Sequence, residues 1–334
     1  MGSQLEVTHT AKHTDPACLA LYGEAMSESV KYKRQFFAPA IRRYLPVEQF
    51  SIDRPCLILD LGSCTSALAR DLVLDLPSYF HFIESDLDRN FLQIAREGVR
   101  EDGNETSFSH VQANAVQLPF ETASIDAVMH SSFFHEIFSF PVTGQGPFNF
   151  ENCSRVVGEI SRIVRSGGYV FGRDYVARPQ DAEEVLRVET IDIDGKTVLN
   201  PAELLRTPIN QLSNSSKVAR FLMEFEPARK WRSMNAGKTK YLPAWLVSEL
   251  LFHLNYTSSD AMWSSEIYEQ YGDLSESEIH ALALVHGFEP IQNDAVSHYD
   301  VAEGKGLNIT NLKGEIVNTR DRFPTNTYLI WRKK

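Results

Sequence analysis

The sequence is poor in the features that would place it outside the ordinary globular class. It has only four cysteines, Cys18, Cys56, Cys64 and Cys153, and no CxxC pair. That spacing excludes a zinc knuckle, argues against a disulfide framework, and gives the expectation of reduced thiols in a cytoplasmic protein. No apolar run approaches the roughly 20 residues of a membrane span. The opening stretch MGSQLEVTHTAKHTDPA has no apolar core and reads as polar chain rather than a secretory signal, and Glu6 spoils a myristoylation pattern after Gly2. Positive charge is in deficit: 33 Lys and Arg against 44 Asp and Glu leave a net charge of −11. A field of that sign discourages non-specific binding to nucleic acid or an anionic membrane, although it leaves room for a local basic patch. Repeats and low-complexity linkers are also lacking.

What is present suits a soluble fold with a large core. Of the 334 residues, 43% are hydrophobic and 23% charged, enough for one large domain with insertions or two modest ones. From residue 56 the pattern alternates regularly. CLILDLG (56–62), YFHFIESD (79–86), FSHVQANA (108–115), SIDAVMHSS (124–132) and GYVFGRDYV (168–176) read as five strands. Helical segments over 65–76, RNFLQIAREGVR and CSRVVGEISRIVRSGG separate them, the last predicted to end at Gly167–Gly168. Apolar strands alternating with helices make a parallel sheet covered on both faces, with its ligand crevice at the strand C-termini. Residues 19–45 read as a helix broken at Pro39, and Lys31, Lys33, Arg34, Arg42 and Arg43 make it the most basic stretch, either a solvated face or a docking face.

After residue 177 the alternation stops. EEVLRVETIDIDGKTVLN reads as a hairpin around Asp194–Gly195, and SKVARFLMEFEPARKW, PAWLVSELLFHLN and DAMWSSEIYEQYG as helices. A last helix (SESEIHALALVHG) and two strands (FEPIQNDAV, TNTYLIWRKK) follow. The fold expected is α/β: a doubly wound, mostly parallel seven-stranded sheet with an antiparallel last strand, a helical N-terminal segment, and a largely helical insertion after strand five.

Five motifs in order carry a resemblance. LILDLGSCTS stands where a strand would end in Asp-x-Gly-x-Gly-x-Gly: Asp60 and Gly62 match, and Cys64 and Ser66 replace the later glycines. FIESDLDRNFLQIAR presents an acid, Asp86, at a second strand end, 26 positions on, near the spacing of a strand–helix–strand unit. VQANAVQLPFETASIDAVMHSS, EISRIVRSGGYVFGRDYV and LVHGFEPIQ with TNTYLIWRKK complete the series. The succession resembles a class I S-adenosylmethionine-dependent methyltransferase with a degenerate glycine loop, over about residues 50–177 and 275–334. The resemblance implies S-adenosylmethionine as cofactor. It implies a cofactor site at Asp60, Gly62, Ser63, Cys64, Asp86, Leu87, Asn114, Ala115 and Ser131, with Asp86 on the ribose hydroxyls and Asn114 in place of the usual acid beside adenine. Ser and Cys are small enough to stand in for glycine if φ stays negative, and the loop is expected to keep it so.

Methyl transfer needs alignment and, for some acceptors, a base. HSSFFHEIFSF after strand four offers His130, His135 and Glu136, and GRDY after strand five offers Arg173, Asp174 and Tyr175. His135 is the expected base and Glu136 its companion, because an imidazole titrates near neutrality. His130 can instead alternate into the strand, and with His135 it lacks a third ligand for a metal, so no metal is expected. In the insertion, Trp231, Tyr241, Trp245, Tyr256, Trp263, Tyr268 and Tyr271 form core or acceptor wall, and Glu266 and Glu269 with Gln270 and Tyr271 could face the crevice and bind a cationic or hydroxylated acceptor.

The expected organisation is residues 1–50 as a helical lid, 51–177 as the cofactor-binding core, 178–275 as a substrate-covering insertion and 276–334 as the completion of the sheet. The expected activity is methylation of a small-molecule acceptor bearing a carboxylate, in specialised metabolite biosynthesis, with no membrane or nucleic-acid partner. Two alternatives stay open: a degenerate cofactor-binding regulatory or scaffold subunit, and an RNA or protein methyltransferase docking through residues 31–43.

Overall fold

A computed structural model of the chain describes residues 16–140, 146–174, 179, 181–231, 238–272, 274–298, 300 and 302–334, with side chains from residue 29 onward. The strands among them are, in chain order, β1 (Cys56–Leu61), β2 (Phe80–Asp86), β3 (Phe108–Gln112), β4 (Ile125–Ser131), β5 (Val164–Asp174), β6 (Val185–Thr190), β7 (Thr239–Pro243), β8 (Phe288–Val296), β9 (Leu307–Thr310) and β10 (Asn326–Lys333). Seven of them form one sheet in the order β3-β2-β1-β4-β5-β10-β8. β1 runs parallel to β2 and β4, β2 to β3 and β4 to β5, and β10 is antiparallel to β5. The expected doubly wound sheet is what forms. The chain reverses its direction of winding between β1 and β4, which opens a crevice at their C-terminal ends.

The chain divides into two compact units. One comprises Leu19–Asp174, Glu276–Asp294 and Thr327–Lys334; the other comprises Met1–Cys18, Tyr175–Ser275 and Ala295–Asn326. In the first unit the central strands are apolar because helices cover both sheet faces. Phe37 and Ile41 of the N-terminal helix Pro16–Tyr44 share one core with Ile58 of β1, Leu72, Phe82, Met129, Phe171 and Ile330. The helix Phe150–Ile163 buries Val156, Val157, Ile160 and Ile163. It also anchors the helix Glu276–Val285, since Ser161 Oγ donates to the carbonyl of His286 at 2.7 Å.

Two boundaries in this unit differ from expectation. Pro39 does not break the helix, which runs unbroken from Pro16 to Tyr44. A proline inside a helix costs about 3 kcal/mol. Pro39 itself is exposed, while Phe37, Ala38, Ala40 and Ile41 on either side are buried, so core packing holds the helix through it. The helix expected to reach Gly167–Gly168 ends at Ile163. Val164 already pairs with Ile125, and Arg165 Nε holds Asp126 at 2.7 Å, which draws the chain into β5 early.

The second unit has a three-stranded sheet, β7-β6-β9, antiparallel throughout. The expected hairpin at Asp194–Gly195 is absent. β6 pairs with β7 and β9 instead, and the chain after it turns toward Gln211, whose carbonyl accepts from Lys196 N at 2.7 Å. Phe221, Phe225, Leu250, Trp263 and Tyr271 build this unit's core with the helices Asn214–Glu224, Ala244–His253 and Asp260–Glu266. Trp263 and Tyr271 are therefore core, and the Tyr271 hydroxyl donates to Glu266 within it. No helix among the described residues is long and apolar enough to cross a membrane.

The tightest approach in the large sheet is at Gly172 of β5, where an added Cβ would lie 2.3 Å from His130 Nε2 and 2.6 Å from Leu329 Cδ1. Gly172→Ala should lower unfolding stability by about 1–3 kcal/mol, the cost of overpacking a core. Gly146→Ala, with open space around the new methyl, should stay within about 0.5 kcal/mol. Paired urea titrations check this, and equal midpoints would refute the close fit.

Candidate cofactor and catalytic site

The site lies at the C-terminal ends of β1, β2, β4 and β5. β1 places Asp60 in register with Glu84 of β2 and Met129 of β4, so two acids stand side by side within the buried sheet. The chain then turns at Gly62, whose φ is +71° and whose added Cβ would be 2.6 Å from the Phe133 ring. No residue with a side chain fits there. Gly62 N and Ser63 N donate to the carbonyl of Ser85 at 2.8 and 3.0 Å. Cys64 N donates to Asp86 Oδ2 at 2.9 Å, and Asp88 N donates to Asp86 Oδ1 at 2.9 Å. Ser66 stands at the N-cap position of the helix Ala67–Val73 without capping it through its side chain, and donates its hydroxyl to Glu84 instead.

The loop corrects one expectation outright. Cys64 and Ser66 do not keep negative φ: they stand at +51° and +57°. The loop retains the left-handed turns of a glycine loop although two glycines are gone. The reason is the acids behind it. In that backbone shape the Cys64 amide meets Asp86 and the Ser66 hydroxyl meets Glu84. A left-handed non-glycine residue costs about 1–2 kcal/mol, and the bond from the Cys64 amide to the Asp86 carboxylate returns about 1.5–3 kcal/mol.

Burial governs the acids. It pushes Asp60 up to about 7, with the Asp86 charge adding to the effect and the Lys33 ammonium opposing it. It pushes Asp86 up to about 6 against the amides of Asp88 and Cys64. Glu84, fully enclosed, is held well above the usual carboxylate range by burial and then by Asp60. Glu84 was not singled out in the sequence, yet its signal was there: a charge inside the apolar run FHFIESD.

The other expected cofactor residues lie around this loop. Asn114 follows β3 and its Oδ1 accepts from Val116 N at 3.1 Å, closing a turn as an aspartate would. Ala113 N donates to the Asp86 carbonyl at 3.0 Å, tying this turn to β2, and Ala115 is buried within it. Leu87 is 58% exposed beside Asp86. Ser131 ends β4, and its Oγ is buried without a hydrogen-bond partner among the described residues.

The catalytic candidates divide. His135, buried in the helix Phe134–Ser139, brings Nδ1 to 2.7 Å from Asp174 Oδ1. The other oxygen of Asp174 accepts from the amides of Phe133 at 3.0 Å and Phe134 at 2.6 Å. Burial opposes the charge on Asp174, but His135 and those amides overcome it and hold the carboxyl at about 2. Glu136 acts on Cys64 and Asp86, raising both, so it stands by the cofactor loop. His130 is fully buried against Phe134, its ring nitrogens lack partners among the described residues, and burial lowers it to about 4. It is a core residue that alternates into β4. Arg173 Nη1 donates to Ser132 Oγ at 3.0 Å, and Tyr175 lies outside the described residues.

The basic stretch is largely internal in its use. Arg34 pairs with Asp71 at 3.3 Å and with Asp75, and Arg42 Nη2 donates to the Asp75 carbonyl at 2.8 Å, pinning the N-terminal helix to the first crossover. Lys33 is buried in the site, a placement its sequence neighbours gave no sign of.

Residues 59–172 match the family model described as a methyltransferase domain. This span includes Asp60 through His135 but neither Lys33 nor Asp174. An uncharacterized chloroplastic methyltransferase of Arabidopsis thaliana is 28% identical over 159 residues, 47% of this chain and 42% of the relative. A ubiquinone/menaquinone biosynthesis C-methyltransferase of Wigglesworthia glossinidia brevipalpis is 26% identical over 111 residues, 33% of this chain and 39% of that one. The chain thus spans less than half the length of these curated relatives. The match to a solved S-adenosylmethionine-dependent methyltransferase of Methanosarcina mazei covers 88% of this chain and 97% of that one at 15% identity and a TM-score of 0.43. The cofactor of such a domain is S-adenosylmethionine, and the residues fit it: a close-approach glycine, a carboxylate at Asp86 with lone pairs left for a diol, and an unpartnered Ser131 hydroxyl.

Two outcomes are expected. Asp86→Ala should weaken binding of S-adenosylhomocysteine, the demethylated product, by about 1.5–3 kcal/mol; unchanged affinity by calorimetry in a folded variant would sink the assignment. Cys64→Gly should raise unfolding stability by about 1 kcal/mol by relieving the left-handed residue, with thermal melts as the check.

Proposed function

We propose that this chain, whose residues 59–172 form a class I S-adenosylmethionine-dependent methyltransferase domain, methylates a small-molecule acceptor with His135 as the proton acceptor. The observation that carries this reading is the 2.7 Å contact between His135 Nδ1 and a carboxyl group, Asp174, that stays ionised. An N–H at Nδ1 facing Asp174 leaves the lone pair on Nε2, the tautomer a base requires. Asp174, itself fixed by two backbone amides, orients the ring and stabilises the imidazolium once it has taken a proton. Bound at the loop, the cofactor supplies an electrophilic methyl group. Gly62, Cys64 and Asp86 would hold it, with Glu136 beside that loop.

A small acceptor is favoured over RNA or protein because Arg34 and Arg42 are engaged with Asp71 and Asp75. The 178–275 insertion is the proposed source of acceptor choice, with a carboxylate-bearing metabolite of a specialised pathway as the acceptor class. We place the protein in the cytoplasm, on its reduced-thiol composition; fractionation decides between that and an organelle.

Incubation with methyl-labelled cofactor and a metabolite extract should put label in the small-molecule fraction. His135→Ala should cut that rate by about 10²–10⁴-fold, and Asp174→Asn should cut it too, with S-adenosylhomocysteine affinity unchanged in both. Label in RNA or protein instead would overturn the small acceptor. Cofactor binding without any transfer would favour the regulatory-subunit alternative.

A further inference from the structure

The last three residues of β2 each hold part of the loop after β1. The Ser85 carbonyl takes Gly62 N at 2.8 Å and Ser63 N at 3.0 Å, Asp86 Oδ2 takes Cys64 N at 2.9 Å, and Glu84 takes the Ser66 hydroxyl. Ser66 closes the loop onto the next helix. Its N–H donates to the Ser63 carbonyl at 2.9 Å, and its own carbonyl takes Arg70 N at 3.0 Å. Glu84 is therefore the anchor of the loop's far end, and it is fully enclosed.

Its surroundings decide the form it takes. A buried carboxylate is costly unless a cation answers it. Glu84 stands in register with Asp60 on β1 and His110 on β3, and neither supplies one. Asp60 is a second buried acid, and neighbouring carboxyls do not readily both ionise. The Lys33 ammonium favours the charge on Asp60, so of the two Asp60 ionises first. Burial and then Arg96 lower the His110 ring, which is neutral at neutral pH. Asp86 acts on Glu84 as Asp60 does, against its charge, while the hydroxyls of Ser66 and Ser63 favour it. Glu84 Oε1 has no hydrogen-bond partner among the described residues, a loss that weighs more on a charged oxygen than on a neutral one.

We propose that Glu84 is a positioning residue of the cofactor loop: it keeps its proton in the folded protein and, by holding the Ser66 hydroxyl, fixes the loop in the shape that receives the cofactor. The positioning role rests on the cofactor reading above. The retained proton has its own consequence. The unfolded chain releases it above the usual glutamate value of about 4.3. The folded protein keeps it, so stability contributed below that pH is lost as pH rises.

Glutamine reproduces a carboxyl that keeps its proton, and it never ionises. Urea unfolding of wild type and Glu84→Gln between about pH 5 and 7 should show the wild-type unfolding constant rising relative to the variant by about tenfold per pH unit. A ratio that stays level means that Glu84 is ionised in the fold and overturns the proposal. Calorimetry with S-adenosylhomocysteine reads the positioning. Glu84→Leu should weaken binding by about tenfold or more, as the loss of one such bond implies, and Glu84→Gln should restore most of it. Ser66→Ala removes the same bond from the loop side and should weaken binding as Glu84→Leu does, which keeps the test decisive if the leucine variant fails to fold. Wild-type affinity in Glu84→Leu or Ser66→Ala overturns the positioning role. A Glu84→Gln protein that binds as poorly as Glu84→Leu overturns the un-ionised form. If the wild type binds no S-adenosylhomocysteine, the cofactor reading fails and takes the positioning role with it, while the unfolding ratio still reports the proton.

Discussion

The site depends on one carboxylate. Asp86 takes the Cys64 amide on one oxygen and the Asp88 amide on the other. The first bond fixes the loop after β1, and the second fixes the start of the helix Arg89–Glu101, whose own first turn is capped when Asp88 Oδ1 accepts from Asn90 N at 2.7 Å. The bond to this acid meets Cys64 in a left-handed conformation that a cysteine otherwise avoids. Each oxygen of a carboxylate has two lone pairs, so the two amides leave capacity for the hydroxyls of a ribose.

That dependence explains how the loop tolerates its substitutions. In a glycine-rich loop the backbone shape comes free of strain, and nothing behind it need enforce it. Here two buried acids, Asp60 and Glu84, and the half-buried Asp86 stand behind the loop, and two of the three are hydrogen-bonded to it. Ser66 illustrates the exchange: it accepts a φ of +57° and gains a hydroxyl bond to Glu84 that glycine could not make. The acids in turn are raised toward neutrality by burial, so part of their charge is suppressed where no cation answers it.

The sheet was legible in the sequence because its signals are local. Apolar runs of strand length, a glycine just after β1 and an acid at the end of β2 sit within short windows, and the order of strands follows from right-handed crossovers. The placement of Asp60 and Asp86 near strand ends, and of His135 just after β4, was legible for the same reason. What could not be read depends on residues far apart in the chain. The sign of φ at Cys64 and Ser66 is set by Asp86 and Glu84, about 20 positions on, and local sterics alone pointed the other way. Pro39 reads as a break, yet the helix is held by Phe37 and Ile41 against strands from across the sheet. The hairpin at Asp194–Gly195 fails because β6 has better partners in β7 and β9, neither of which stood out as a strand. Lys33 is the sharpest case: five cations in one basic stretch look alike in sequence, and only packing separates the buried one from Arg34 and Arg42.

The placement of Lys33 also bears on why the N-terminal helix groups with the sheet. Arg34 and Arg42 hold the helix to the first crossover through Asp71 and Asp75, but exposed ion pairs of this kind contribute only about 0–1 kcal/mol each. The apolar contacts of Phe37, Ile41 and Leu45 supply most of the attachment. Once that face is docked, the helix period carries position 33 to the same side as 37 and 41, one turn nearer the strand ends. A neutral apolar residue there would pack at lower cost than an ammonium. The buried charge is therefore not explained by stability, and its neighbours Asp60, Cys64 and Asp174 all belong to the site. Position 33 is a charged residue carried into the crevice by a structural helix.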